Sequence, residues 1–476
     1  MQYETVIGLE VHTELSTKSK IFCACATRFG AAPNTQVCPV CSGMPGALPV
    51  LNQNVVEYAV RTGLATNCAI TRGTKFDRKN YFYPDLPKAY QISQLHQPIC
   101  TEGWVEIPNA ENRTKRIRIR EIHMEEDAGK LLHDPWEDAS LADYNRCGVP
   151  LLEIVSQPDL RSAEEAVAYV EKLKAILEYI GVSDCKMQEG SLRADVNVSV
   201  RPCGAGEYGT RTEMKNLNSL RAIARAIASE AARQIGLLEE GGRVVQETRR
   251  WDDDRGESSP MRSKEDAQDY KYFPEPDLPP IEISEAQVEA ARQALPELPE
   301  TKKRRYITEL GLPEYDTGII TGSIHLVRLF ERASDQCGNP KEAANWIMGE
   351  VLGQLKATQT LPEDMSFDPD SLGRLIALVQ SNTINRGTAK KVFAEVFSKN
   401  VDPEAYVQEH GLALITDRGA IVQALRQMLA ANEKSVAQYK GGKAQALQYL
   451  IGQGMRALKG QAPAQEVRQL LEELLE

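Results

Sequence analysis

The stretch TVIGLEVHTEL, Thr5 to Leu15, alternates apolar and polar residues, and in an extended chain successive side chains point to opposite faces. Ile7, Leu9 and Val11 then lie on one side, with Glu10, His12 and Glu14 on the other. One side packs; the other carries oxygen and imidazole donors of the kind that hold a hard divalent cation. Shortly afterwards come Cys23-Ala-Cys25 and Cys38-Pro-Val-Cys41, a set of soft ligands. The opening of the chain therefore joins an acidic strand face to a thiolate cluster.

Composition limits what these features can be. A chain of 476 residues exceeds what one hydrophobic core organises, so two or three domains are expected. With 42% hydrophobic and 26% charged residues it reads as a soluble, globular chain. It enters a strand pattern at once, without a leader of basic, apolar and cleavage regions, and no apolar run approaches the roughly 18 residues needed to cross a bilayer. A cytoplasmic protein with no membrane association is the expectation. Of the ten cysteines, four cluster, while Cys68, Cys100, Cys147, Cys185, Cys203 and Cys337 are scattered, which suits reduced thiols. A net charge of −11 argues against nonspecific nucleic-acid binding by the whole surface and permits a local basic patch.

The chain changes character along its length. To about residue 290 it is strand-rich, a mixed α/β domain. Beyond that, Glu342 to Leu355, Leu372 to Val379 and Ala420 to Ala431 carry apolar residues at helical spacing, as Glu285 to Leu295 already does. Pro274-Glu-Pro-Asp-Leu-Pro-Pro280 is the boundary candidate, since prolines at this density continue neither a helix nor a central strand. Asp402-Pro403 opens a smaller last bundle. The expected division is 1–290, 291–400 and 401–476, an α+β arrangement followed by two helical parts.

The pattern C-x-C-x12-C-P-x-C closes a tetrahedral site for structural zinc. A redox-active pair or free thiols stay open as alternatives, although thioredoxin-like chemistry wants its CxxC at a helix start, which Pro45-Gly46 makes awkward. Ser191 to Arg201 alternates strictly, with Arg193, Asp195, Asn197, Ser199 and Arg201 on one face, and Thr210 to Asn216 puts Arg211, Glu213 and Lys215 together. The strand from Arg118 ends in Glu125, Glu126 and Asp127. Antiparallel neighbours would gather Glu10, His12, Glu125, Asp195 and Glu213 beside Arg193 and Lys215. Such donors suit Mg²⁺ or Mn²⁺, and the cations beside them suit phosphate oxygens. No G-x-x-x-x-G-K-[ST] loop is present, so nucleotide chemistry would rest on metal-bridged phosphates over a sheet. The alternative is the solvated outer face of a one-sided sheet.

Phe76 to Gln94 crowds aromatics, cations and prolines into a segment too broken for a regular strand. It reads as a clamp for a nucleotide or an RNA end, or as an ordinary aromatic-anchored loop. Tyr439-Lys-Gly-Gly-Lys443 and Arg456-Ala-Leu-Lys459 are small basic clusters that fit RNA phosphates or plain solvated helices.

ETVIGLEVHTEL, the CxC and CPVC pair with GMPGALPVLN, RKNYFYPDLPKAYQISQ, HMEEDAGK, DYNRCGVPLLEIVSQPD, RADVNVSVRP, RTEMKNLNS, MRSKEDAQDYKYFPEPDLPP and AQYKGGK together span almost the whole chain. In these pieces it closely resembles the B-subunit family of the tRNA-dependent amidotransferases (GatCAB). The resemblance implies an ATP-dependent ligase of the glutamine-dependent amidotransferase class. In that family the side-chain carboxylate of glutamate or aspartate on a misacylated Glu-tRNA(Gln) or Asp-tRNA(Asn) is phosphorylated, and ammonia displaces the phosphate. The family further implies an A subunit that releases ammonia from glutamine into a channel, a C subunit that fastens A to B, and tRNA held chiefly by the helical C-terminal part. Its catalytic half, a cradle, resembles glutamine synthetase in its curved antiparallel sheet lined with metal-binding acids.

On that basis Glu10, His12 and Glu125 are expected as catalytic metal ligands, with Glu126, Asp195 and Glu213 serving a second Mg²⁺ or the nucleotide. Lys79, Lys88, Arg193 and Lys215 are expected to contact phosphate or aminoacyl-tRNA, and Cys23, Cys25, Cys38 and Cys41 to hold zinc. Some relatives lack the cysteines, so zinc supports structure and not chemistry. Asn382-Thr-Ile-Asn-Arg386 stands where relatives more often have a Gly- or Ser-containing turn, which affects local helix geometry alone. A small-molecule amide ligase and a zinc-stabilised RNA scaffold without catalysis are the competing classes. The first has no need of the helical extension; the second tolerates His12→Ala and Glu125→Ala.

Overall fold

The computed structural model describes residues 2–109, 113–133, 139–263, 270–415, 417–458 and 460–475. The stretch 264–269 of the MRSKEDAQDYKYFPEPDLPP segment and Lys459 of the last basic cluster lie outside the described residues. The chain divides into two compact units, Met1–Pro299 and Glu300–Glu476.

The strands of the first unit are β1 (Tyr3–Glu14), β2 (Ala69–Ile70), β3 (Gly73–Thr74), β4 (Asp77–Asn80), β5 (Tyr90–Ser93), β6 (Cys100–Pro108), β7 (Thr114–Glu126) and β8 (Lys130–His133). They continue with β9 (Ser140–Asp143), β10 (Pro150–Ser156), β11 (Leu192–Pro202), β12 (Thr212–Lys215), β13 (Glu247–Asp252), β14 (Glu257–Ser263), β15 (Phe273–Pro274) and β16 (Ile281–Glu282). Nine of them form one sheet in the order β14-β13-β12-β11-β1-β10-β7-β6-β2. The β-branched opening strand sits in its middle, paired antiparallel on both sides.

The sheet is not antiparallel throughout, as the sequence led us to expect. β12 and β13 run parallel, because helix α3 (Leu220–Glu239) connects them and lets the chain return in the same direction. Helices α1 (Gln53–Ala65), α2 (Ala163–Tyr179) and α3 interrupt the strand-rich region. Val55, Ala59, Val170, Leu173, Leu177, Ile223 and Ile227 share one buried core with Ile7, Leu9, Val11, Ile122, Met124, Leu152, Ile154, Val196 and Val198. A sheet covered on that face leaves the opposite row of side chains free for polar groups.

Phe76 to Gln94, expected to be too broken for a regular strand, forms β4 and β5, which pair with each other, while β4 also pairs with β15. The proline-rich stretch expected to mark a boundary is fastened into this unit. Glu275 takes two hydrogen bonds from Arg78, Nε to Oε2 at 2.7 Å and Nη2 to Oε1 at 2.8 Å. Leu278 is buried, and Ile281 pairs with Thr74. The helix at Glu285–Gln293 adds Val288 and Ala291 to the same core, so the unit continues past 290.

The second unit is built of helices from Pro299–Thr308 to Ala464–Leu475. Its earlier part packs aromatics, with Tyr306 and Phe330 ring centroids 4.8 Å apart and Phe367 5.8 Å from Phe393. Gly373 sits where a Cβ would lie 2.9 Å from the Ala333 carbonyl oxygen, so two helices touch backbone to backbone. Asn382 takes a left-handed φ of 56°, which asparagine tolerates without glycine, and Asn385 caps the helix Arg386–Lys399. A separate apolar cluster, including Ile421, Leu425, Leu450, Val467 and Leu471, holds the last helices together. Among the described residues, no helix is long and apolar enough to cross a membrane.

Candidate active site

Register across the sheet brings side chains from distant parts of the chain into rows. His12 stands opposite Glu153 on β10 and opposite Arg193 on β11, and Glu153 in turn faces His123 on β7. Two residues earlier on the same face, Glu10 stands opposite Asp195, while Asn197 faces Glu213 on β12. Glu10 and His12 thus each head a separate cluster.

In the first cluster, donor atoms of His12, Glu125 and Glu153 lie within 4.8 Å of one another. His12 Nε2 is 3.8 Å from Glu125 Oε1 and 4.0 Å from Glu153 Oε1. Glu125 is buried and accepts a hydrogen bond from Ser93 Oγ at 3.1 Å. Burial, and then the Glu153 carboxylate, push its carboxyl above the usual range. In the second cluster, Glu10, Asp195 and Glu213 also come within 4.8 Å. Asn197 Nδ2 donates to Glu10 Oε1 at 3.1 Å, and Thr248 Oγ1 donates to Glu213 Oε2 at 2.7 Å. Burial, and then Glu153 and Glu213, raise Glu10. Carboxyls held so close that they raise one another gain from a divalent cation, which removes their repulsion. Oxygen donors with one imidazole fit a hard cation such as Mg²⁺ or Mn²⁺.

Cations border both clusters. The Lys215 ammonium pairs with Asp195 and lies 2.9 Å from Glu213 Oε1. Arg193 Nη2 donates to Asp127 Oδ2 at 2.8 Å. Burial alone would raise the Asp127 carboxyl, but Arg193 and Arg146 hold it below its usual range. Lys79 Nζ lies 5.0 Å from the Tyr270 ring and 5.9 Å from that of Tyr81. Burial would lower its ammonium, and Glu125, Tyr272 and Glu153 more than reverse that.

Two residues expected here are elsewhere. Glu126 follows Glu125 directly on β7, so strand alternation turns it to the other face. There its Oε1 pairs with Lys88 Nζ and accepts the Ile92 N–H at 2.9 Å. The structure brings Glu10, His12, Glu125, Asp195 and Glu213 to one face, but not Glu126 or Lys88. In their stead it adds Glu153, which the sequence reading passed over. The available signal was a lone carboxylate inside the otherwise apolar Pro150-Leu-Leu-Glu-Ile-Val155.

Residues 5–289 match the family model described as the GatB/GatE catalytic domain, and residues 328–475 match the one described as the GatB domain. The chain belongs to the GatB family. It is 58% identical over 473 residues to the B subunit of the aspartyl/glutamyl-tRNA(Asn/Gln) amidotransferase of Lachnoclostridium phytofermentans, covering 99% of each chain. With the protein of that name from Caldicellulosiruptor bescii it shares 58% identity over the full length of both, and with that of Caldanaerobacter subterraneus 55%. The GatB/GatE match takes in all the strands carrying the acid clusters, together with the cysteine cluster.

In this GatB-family chain the sulfurs of Cys23, Cys25, Cys38 and Cys41 also lie within 4.8 Å of one another. Two tight turns present them. Lys20 N–H donates to the Cys25 carbonyl at 3.0 Å across the first, and Ser42 N–H donates to the Cys38 carbonyl at 3.0 Å across the second. The Cys38 N–H also donates to Cys41 Sγ at 3.2 Å, as metal thiolates receive backbone donors. A hydrogen bond from Cys23, foremost, draws the Cys41 thiol down to about 4, whereas burial pushes Cys25 up to about 11. All ten cysteines are free thiols, and four at this spacing form a set that fits one soft-ligand metal ion.

Proposed function

We propose that this chain uses ATP to phosphorylate the side-chain carboxylate of glutamate or aspartate esterified to tRNA(Gln) or tRNA(Asn), and then amidates it with ammonia. A carboxylate oxygen attacks the γ-phosphorus and ADP leaves. Ammonia then attacks the acyl carbon, phosphate leaves with its electron pair, and a proton is lost, giving Gln-tRNA(Gln) or Asn-tRNA(Asn). A glutaminase A subunit supplies the ammonia, and a C subunit joins A to B in a heterotrimer. The relatives' shared name supports that assembly and those substrates.

The observation that carries the reading is the pair of acid clusters headed by Glu10 and His12, side by side on one strand face. Mg²⁺ or Mn²⁺, when bound, would neutralise the phosphate oxygens of ATP and the charge that develops during transfer. His12, Glu125 and Glu153 would hold one ion; Glu10, Asp195 and Glu213 would hold the other. Lys215 and Arg193 orient phosphate from the flank, and Lys79, backed by tyrosines, faces the carboxyl group under attack. Glu126 and Lys88 act on the reverse face as a buried support for the strand end.

The ion in the cysteine cluster is zinc in this reading, because four thiolates leave no open position for a reaction. The first unit is a cradle of the glutamine-synthetase kind, the helices from its end at Pro299 to residue 400 a helical domain, and 401–476 a tail that binds tRNA. Ten free thiols suit a cytoplasmic location.

The test uses the chain co-expressed with its A and C partners, supplied with mischarged Glu-tRNA, ATP, Mg²⁺ and ammonium. Gln-tRNA formation with tRNA-dependent ADP release supports the proposal, since free ammonia bypasses the glutaminase. Bound tRNA without product overturns it in favour of a scaffold.

A further inference from the structure

Lys20 has no exposed surface. A buried ammonium is strongly unfavourable unless an opposite charge faces it, yet among the described residues no carboxylate is within ion-pair distance of Lys20. Its Nζ donates instead to the Gln36 carbonyl at 2.8 Å, the Tyr144 carbonyl at 3.4 Å and Cys41 Sγ at 3.5 Å. Carbonyls solvate an ammonium but do not neutralise it. Cys41 is the one of these groups able to carry a full negative charge.

We propose that Lys20 is the charge-compensating partner of the four-cysteine metal site, its ammonium donating to the Cys41 thiolate. This inference rests on the zinc reading above. Four thiolates around a divalent ion leave an excess of two negative charges, and one buried cation halves it. Donation to sulfur also draws electron density from it, which makes that sulfur a poorer nucleophile. The same nitrogen joins the metal loop, through Gln36, to the segment leading into β10, through Tyr144. The neighbouring Ile21 N–H donates to the Gly148 carbonyl at 2.9 Å, so the cation lies on the route from the metal turn to the strand that carries Glu153.

The experiment measures bound zinc, its dissociation constant by competition with a chromophoric chelator, and the rate of cysteine alkylation. It is done on the heterotrimer carrying wild-type chain, Lys20→Met or Lys20→Arg. We expect one zinc per wild-type chain, affinity weakened about 10- to 100-fold in Lys20→Met with faster alkylation, and affinity near wild type in Lys20→Arg. Equal affinity and equal alkylation in Lys20→Met would overturn the proposal while leaving zinc in place. A wild-type chain that binds no zinc would overturn the zinc reading itself, and the proposal with it. If Lys20→Met does not fold, Lys20→Arg decides: retained affinity supports the charge role, and a loss of tenfold or more overturns it.

Discussion

Glu153 on β10 stands directly across from His12 on β1, its Oε1 4.0 Å from the imidazole Nε2. Nothing in the spacing along the chain pairs these residues; antiparallel register does. The relationship makes Glu153 the third member of the cluster with Glu125. Glu153→Gln is expected to lower Gln-tRNA formation with ammonium as nitrogen donor by about 10- to 100-fold or more, since losing even an outer-shell partner of a metal ligand costs that much, with tRNA affinity unchanged. A loss below threefold would remove Glu153 from the site.

Glu126 and Glu125 are neighbours that face opposite ways, so their variants should separate. Glu125→Gln is expected to weaken Mg²⁺ binding along with activity. Glu126→Gln should leave Mg²⁺ affinity near wild type and lower thermal stability, because Lys88 and the Ile92 N–H lose a charged acceptor. Calorimetric Mg²⁺ titration and a thermal melt on both variants decide it.

The Lys215 ammonium pairs with both Asp195 and Glu213. Lys215→Met should free those carboxylates and tighten Mg²⁺ binding in this cluster, while raising the KM for ATP about tenfold through loss of one phosphate contact. Parallel metal titration and ATP kinetics show whether the two move in opposite directions.

Proton competition follows from the raised carboxyls. Glu10 and Glu125 lie above the usual range, and Glu14, chiefly through burial and then Asp127, is pushed up to about 8. A carboxyl raised by folding adds stability below its ordinary value of 4.5 and loses it as pH rises through the folded value. Metal-free protein is therefore expected to lose stability between about pH 4.5 and 8. Mg²⁺ should reverse the share of that loss that comes from Glu10 and Glu125, its expected ligands, and release protons on binding, with affinity falling as pH falls. Melting temperatures across that range, with and without Mg²⁺, test the sign.

Gly43 closes the Cys38 to Cys41 turn with a φ of +69°, and a Cβ there would meet Lys88 Cγ at 2.6 Å. Gly43→Ala combines a left-handed backbone with that clash. We expect a destabilisation of about 1–3 kcal/mol, measurable by denaturant unfolding, and displacement of Lys88 from Glu126.

Strict two-residue alternation made Glu10, His12, Asp195 and Glu213 legible in the sequence as members of polar strand faces, and the cysteine spacing announced the thiolate cluster. Those are local properties, because which way a strand residue points depends on its parity within the strand and a tight turn depends on the residues inside it. The same parity separates Glu125 from Glu126, but three acids in succession hid which of them faced the site. The helical character of the second half was equally readable from apolar spacing. Partnership between strands was not. Which residue of β10 stands across from His12, that β12 and β13 run parallel, and that Lys20 is sealed against Cys41 depend on contacts between residues up to about 140 positions apart. Only the folded chain settles them, because register and burial are decided by the packing of the whole core and not by any one segment.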